Sequence, residues 1–311
     1  MVVRYQSQRD QHRLAIMQAF FEVLMADQEN YRDNEAMAIA FITLDRLRSR
    51  QELGQSSDIE VLEQESDYQR VRYQVLQSES RQRLTRSQLA NLLNRPGELS
   101  ADLVMPSFSH TERPLPEYES LLQLAQQHNP TLNSLQLELQ GAERRVAAVR
   151  SDKLPRLNGE LEASSYSREL GSSDSWRAGV TLSIPIYNGS RVDAAVATAR
   201  AEVMRLRSKL SQARQELRQA LLEQWFALQR LRLQREQGMS ELDYRELYLD
   251  RSRANYEMEV KADLGDAMVR LSDAQLALIR NDFDTALAWE KLRALSGVEL
   301  EQLNATMSES P

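Results

Sequence analysis

The chain has 311 residues, with 39 basic and 46 acidic side chains, a net charge of −7 and no cysteine. The missing cysteines exclude disulfides, thiolate metal sites and cysteine nucleophiles, and the acidic balance argues against nucleic acid as the main partner. At 41% hydrophobic and 6% aromatic residues, the composition suits long helices that each bury one narrow stripe, rather than one large rounded core.

The first 95 residues contain no proline and the single glycine Gly54, so they read as very long helix. The opening MVVRYQSQRDQHR has no apolar segment or cleavage site, and no signal peptide is visible in it. Positions Leu14, Met17, Phe21, Leu24, Gln28, Tyr31, Glu35, Ala38 and Ile42 follow alternating steps of three and four, the spacing of a coiled-coil seam. Leu53-Gly54-Gln55-Ser56-Ser57-Asp58 breaks the stretch, which predicts an antiparallel helical hairpin. Residues 95–116 carry Pro96, Pro106, Pro114 and Pro116 and read as a linker. A helix follows from Glu117, a turn at Asn129-Pro130, and a second helix to about Lys153.

The period then changes from 3.6 to 2. Over 155–166, Leu157, Gly159, Leu161, Ala163 and Ser165 alternate with a polar set, and over 177–187 Ala178, Val180, Leu182, Ile184 and Ile186 do the same. Two strands of this kind, each with one apolar and one polar face, suit either a transmembrane β-barrel or a soluble hairpin packed on a helix. Residues 186–310 are again proline-free. Leu206, Leu210, Ala213, Leu217, Ala220, Leu221, Leu228 and Leu231 mark a second seam, with a break near Met258–Asp263. The helix from about 190 to 258 would be roughly 100 Å long.

The two long stretches repeat each other at an offset of 205: Arg13, Ala15 and Phe21 match Arg218, Ala220 and Phe226, Phe20 faces Trp225, and Asp58 faces Asp263. A constant offset of this kind is the mark of an internal duplication. Only four of the 39 basic residues are lysine, and the arginines read as solvated helix faces. His12, His110 and His128 lack ligand spacing, and the carboxylate pairs also read as solvated faces. Nothing resembles a phosphate loop, a metal cluster or a nucleophile–base pair, so no enzymatic activity and no cofactor are expected.

Leu182-Ser183-Ile184-Pro185-Ile186-Tyr187-Asn188-Gly189-Ser190-Arg191 ends a strand and opens a long alanine-rich helix. It resembles the signature of the outer membrane efflux proteins, the TolC-like exit ducts. Leu154-Pro155-Arg156-Leu157, Asn129-Pro130-Thr131-Leu132, Ala19-Phe20-Phe21-Glu22-Val23-Leu24 and Asp273-Ala274-Gln275 resemble further motifs of that family, in its order. The resemblance implies a mainly α fold: long antiparallel helical hairpins forming a coiled-coil tunnel, with one β-hairpin contributing to a transmembrane barrel in a trimer. The expected divisions are a first-repeat hairpin at 1–98, a linker at 99–116, a helical entry at 117–153, a transmembrane β-hairpin at 154–188, a second-repeat hairpin at 189–297 and a tail at 298–311.

By the same resemblance the protein is a passive outer-membrane exit duct of a tripartite efflux or type I secretion system. Its helices lie in the periplasm, and it works with a periplasmic adaptor and an inner-membrane pump as a homotrimer. Val180, Leu182, Ile184 and Ile186 are the expected lipid-facing residues. Asp58, Asp263 and Asp266 are the candidates for a negative constriction at the hairpin tips, with helix capping as the competing role for Asp58 and Asp263. Against the family pattern the first strand pair and the helix before it are missing. The chain is therefore expected to be an N-terminally shortened copy whose trimer, with two strands per protomer, would not conduct by itself. The alternative is a soluble periplasmic coiled-coil scaffold or adaptor.

Overall fold

The computed structural model of the chain describes residues 2–97, 103–108, 113–163, 176–187, 189–258 and 264–299. The elements run α1 (Val2–Glu52), α2 (Asp58–Leu92), α3 (Tyr118–His128), α4 (Pro130–Ser151), β1 (Arg156–Ala163), β2 (Trp176–Ser183), α5 (Arg191–Glu257) and α6 (Leu264–Ser296). They form two compact units, one of residues 1–129 and 217–311 and one of residues 130–216, with the 67-residue α5 contributing to both. No described helix is long and apolar enough to cross a membrane.

In the first unit α1 is the central helix. Gly54, at φ +68°, closes the turn that ends it: Gly54 N–H donates to Gln51 O and Gln55 N–H to Arg50 O. A residue with a Cβ is disfavoured in that left-handed conformation. The chain returns as α2, and the α1–α2 seam combines an apolar cluster of Ala19, Val23 and Leu89 with polar pairs. Asp27 accepts both arms of the Arg86 guanidinium at 2.6 and 2.9 Å and the Gln82 amide at 2.9 Å, while Glu29 accepts from Arg81 at 2.6 Å. Asn30 Nδ2 donates to Ser78 Oγ at 3.1 Å. Along the other side of α1, α6 runs antiparallel, as shown by Arg280 to Glu29, Arg32 to Asp273 and Ser272 to Glu35.

Because α1 has two helical neighbours, its burial does not follow the single seam expected from spacing. Ala19, Phe21, Val23, Leu24, Met25 and Ala26 are all buried, almost around the helix. Beyond them the buried positions are Glu29, Asp33, Ala40 and Leu44, and the expected seam residues Tyr31, Ala38 and Ile42 are exposed. A straight α-helix drifts by about 20° per heptad against a 3.5-residue seam, and contact with α6 as well as α2 moves the buried stripe further. The α5 seam agrees with expectation: Leu217, Leu221, Leu228 and Leu231 are buried.

The proline-containing segment between α2 and α3 does more than link them. Leu103 and Phe108 pack onto the α1–α6 core, with the Phe108 ring edge-on to Phe21 at 5.8 Å and to Phe283 at 5.6 Å. Phe21 and Phe283 stack at 4.4 Å with parallel rings. Further along this strap, Pro116 O accepts from Trp225 Nε1 at 2.9 Å and Arg113 O from Arg232 Nη2 at 2.9 Å. Asn129, just after α3, donates its side-chain amide to Leu295 O near the end of α6 at 2.9 Å.

The second unit holds α4, the β-hairpin and the first part of α5. Leu132 and Leu135 of α4 are buried, as are Val192, Val196, Ala199, Val203, Leu206 and Leu210 of α5. Arg207 pairs with Glu143 at 2.8 Å, and Lys153 pairs with Asp193. Strands β1 and β2 pair antiparallel as a two-stranded sheet.

Candidate membrane hairpin and tunnel tip

The β1–β2 register decides which side chains share a face. Leu157 lies opposite Leu182, Gly159 opposite Val180, Leu161 opposite Ala178 and Ala163 opposite Trp176. Directly opposed residues in an antiparallel pair project to the same side, so these eight form one apolar face. The other face carries Arg156 with Ser183, Asn158 with Thr181, Glu160 with Gly179 and Glu162 with Arg177. A slip of one residue in either strand would mix the two sets. Every position of both strands is exposed.

Val180 and Leu182 thus occupy the apolar face, as expected. Ile184 and Ile186 do not belong to it as strand residues, because β2 ends at Ser183. Pro185 has no N–H to continue the ladder and restricts the residue before it. Both isoleucines remain highly exposed, Ile186 at 96%. At its C-terminal end β2 thus stops short of the expected 187, while β1 is described over Arg156–Ala163. The expected residues 164–166 of the first strand and the loop after them lie outside the described residues.

At the α1–α2 turn the cap is Ser57, not Asp58. Ser57 Oγ accepts from Glu60 N–H, and the Glu60 carboxylate accepts from Ser57 N–H at 2.9 Å, a reciprocal capping box. Its signal, a serine three residues before a glutamate, stood in the sequence. Asp58 is the first residue of α2, where a carboxylate complements the helix dipole, and it accepts from Gln51 Nε2 at 2.7 Å. Asp263 lies outside the described residues. Asp266, in the first turn of α6, accepts from Arg270 Nε at 2.6 Å, and that bond raises the Arg270 pKa.

Asp58 and Asp266 are not at one level. A Cβ on Gly265 would lie 2.2 Å from Ile39 Cγ2, so α6 begins beside residue 39 of α1, whereas Asp58 sits beside Gln51. At ~1.5 Å per residue the two carboxylates are offset by roughly 18 Å along α1. Between these levels Arg46 Nη2 donates to Tyr256 OH at 2.8 Å, joining α1 to the end of α5.

At the opposite end of the bundle, Arg293 Nη2 reaches Asp10 at 2.7 Å and Glu290 at 2.8 Å, and Arg13 Nε reaches Glu290 at 3.0 Å. Burial works against the Arg293 charge, but its bonds to Asp10 and Glu290 outweigh that and hold its pKa above the ordinary value. Among the described residues no group of histidine or carboxylate side chains could hold a metal.

Residues 121–298, more than half of the chain, match the outer membrane efflux protein family. The chain belongs to that family. The match runs from within α3, through the β-hairpin, to just beyond α6. This outer membrane efflux protein is similar in fold to a membrane protein from Pseudomonas aeruginosa, at 16% identity and a TM-score of 0.76 over 95% of this chain and 70% of that one. It is similar to CusC, whose structures concern folding and transmembrane channel formation, at 17% identity and a TM-score of 0.75 over 96% and 70%. The outer membrane protein VceC from Vibrio cholerae gives 15% identity and a TM-score of 0.73 over 95% and 72%. These likenesses take in the α1–α2 hairpin, which the family match does not reach. No curated protein matches by sequence. Membership makes the chain a TolC-like exit duct protein, a passive channel component and not an enzyme.

Proposed function

We propose that the chain is a protomer of a homotrimeric outer-membrane exit duct, with β1 and β2 in a shared lipid-embedded barrel and the long hairpins, 1–98 and 189–297, in the periplasm. A closed barrel leaves no unpaired backbone in lipid, and helical hairpins need none to span an aqueous gap. The duct receives its cargo from an inner-membrane pump through a periplasmic adaptor, in tripartite efflux or type I secretion. The observation that carries this reading is the strand register, which sorts Leu157, Leu161, Trp176, Val180 and Leu182 onto one uncovered face and Asn158, Glu160 and Arg177 onto the other. The first face suits lipid and the second a water-filled lumen. Family membership supports the setting. Asp58 of three protomers would set negative charge at the α1–α2 turns. Asp266 contributes less, since Arg270 neutralises it.

The chain has no cysteine, so single-cysteine variants report cleanly. In outer-membrane vesicles, Leu182→Cys should resist a water-soluble maleimide and Asn158→Cys should react. Equal labelling of the two in membrane-inserted protein would overturn the assignment of faces.

A further inference from the structure

The internal duplication extends into the returning helices. Ser66-Asp67-Tyr68-Gln69 of α2 reappears as Ser272-Asp273-Ala274-Gln275 of α6, at an offset of 206, so α1 corresponds to α5 and α2 to α6. In the first unit the helices lie in the order α2, α1, α6, α5. Helix α1 touches α2 and α6, and α6 touches α5 through Asn281 Nδ2 to Leu231 O at 3.0 Å and Arg235 to Asp282 at 3.1 Å. The α1–α6 contact joins the leading helix of one repeat to the returning helix of the other. Its counterpart would join α5 to α2, and these are the two outer helices.

Both outer helices carry an uncovered stripe. On α2, Tyr73 and Leu76 repeat Ile59 and Leu62 two heptads later, and on α5, Phe226, Leu233 and Leu247 share one heptad position; all are exposed. Single exposed apolar residues are ordinary, but a run at this spacing is a coiled-coil surface without its partner. On α5 the stripe occupies the positions that α1 turns to α6. Phe226, Gln237, Ser240 and Tyr244 correspond to Phe21, Arg32, Glu35 and Ile39, which meet Phe283, Asp273, Ser272 and Gly265 of α6.

We propose, resting on the assembly of copies inferred above and not on its barrel, that α5 of one copy docks on α2 of a second copy in the register that α1 keeps with α6. Ser240 then lies by Ser66, Tyr244 by Ile59, and Phe226 and Leu233 near Leu76 and Tyr73. The two surfaces differ, so the contact is heterologous and generates a ring where the rotation closes. Its chemistry differs from that of the seam within the chain. The pair Glu29–Arg280 becomes Gln234 with Gln74, and Arg32–Asp273 becomes Gln237 with Asp67. Two ion pairs give way to amides, so the seam between copies rests on apolar contact and does not weaken with added salt.

The test places Ser66→Cys and Ser240→Cys together in the full chain, which has no cysteine of its own, and oxidises it in outer-membrane vesicles. Covalent oligomers that a reductant dissolves should form, with the same yield in molar salt. Ser80→Cys with Ser240→Cys is out of register by roughly 21 Å and should give none. The pair Asp67→Cys and Gln237→Cys gives the same reading should the first variant fail to accumulate. No covalent oligomers, or equal yields from the in-register and out-of-register pairs, would overturn the proposal. Absent cross-links with Leu182→Cys still shielded from maleimide would sink the seam alone, whereas cross-links with Leu182→Cys freely labelled would support the seam and sink the lipid-facing assignment.

Discussion

Phe21 and Phe226 occupy matching positions of the internal duplication, yet Phe21 is 5% exposed and Phe226 is 54% exposed. Replacing each by alanine separates sequence equivalence from energetic equivalence. A phenylalanine buries roughly 200 Å², and at ~25 cal/mol per Å² the part lost on truncation to alanine is about 3 kcal/mol for a fully buried ring. Phe21 also leaves a cavity and loses its contacts with Phe283 and Phe108, which adds about 1 kcal/mol. Phe21→Ala should therefore destabilise the monomer by about 4 kcal/mol. Phe226 buries about half as much and water fills its place, so Phe226→Ala should remove only about 1 kcal/mol. Urea melts of the full chain in detergent, followed by far-ultraviolet circular dichroism, measure both. If a second protomer covers Phe226, its loss should appear as weaker association in sedimentation runs. Equal destabilisation of the monomer by the two substitutions would refute this account of the core.

Gly265→Ala should destabilise despite alanine's higher helix propensity, because the new Cβ meets the stiff Cγ2 of Ile39; a raised melting temperature would contradict it. Gly238→Ala should be tolerated, since the contact there is with the mobile end of Leu278. Desolvation pushes the Asp284 carboxyl above its ordinary value, against the opposing pull of Arg280 and Lys291. Its ionised form therefore weakens the fold above the raised pKa, and the penalty fades as pH falls through that value toward the ordinary carboxylate range. Asp284→Asn should accordingly raise Tm at neutral pH, with the gain shrinking in acid, as melts across pH 3–7 will show. In planar bilayers holding a conducting assembly that contains this chain, Asp58→Asn should reduce the cation preference; unchanged reversal potentials would remove Asp58 from the ion path.

What could be read in advance was whatever has a period or a breaker. Proline-free runs gave the long helices, Gly54 the first turn, and strict alternation the apolar face that the register of Leu157 with Leu182 then assembled. The strap was legible only as a gap, because Leu103, Phe108 and Arg113 carry no repeat that announces their contacts. Tyr31 and Ile42 are exposed against the expected spacing because a single seam does not describe a helix with two neighbours. Asp58 suits a cap by residue type, but the pair Ser57 and Glu60 holds the stronger signal. The offset of Asp58 from Asp266 could not be foreseen, since it depends on how far α6 reaches along α1.

The bond between Arg293 and Asp10 spans 283 residues of chain. When the chain is made without export, at about 5–20 residues per second, α1 would wait roughly 15–60 s for its partner helix to emerge. Through that interval Ala19 and Val23 can pack on Leu89 of α2, but Phe21, Leu24 and Met25 lack Leu276, Phe283 and Ala286 of α6. Production of this protein in cells is thus exposed to aggregation at a defined moment, and a holding chaperone that shields this face of α1 would raise its yield more than any factor that hastens the α1–α2 hairpin.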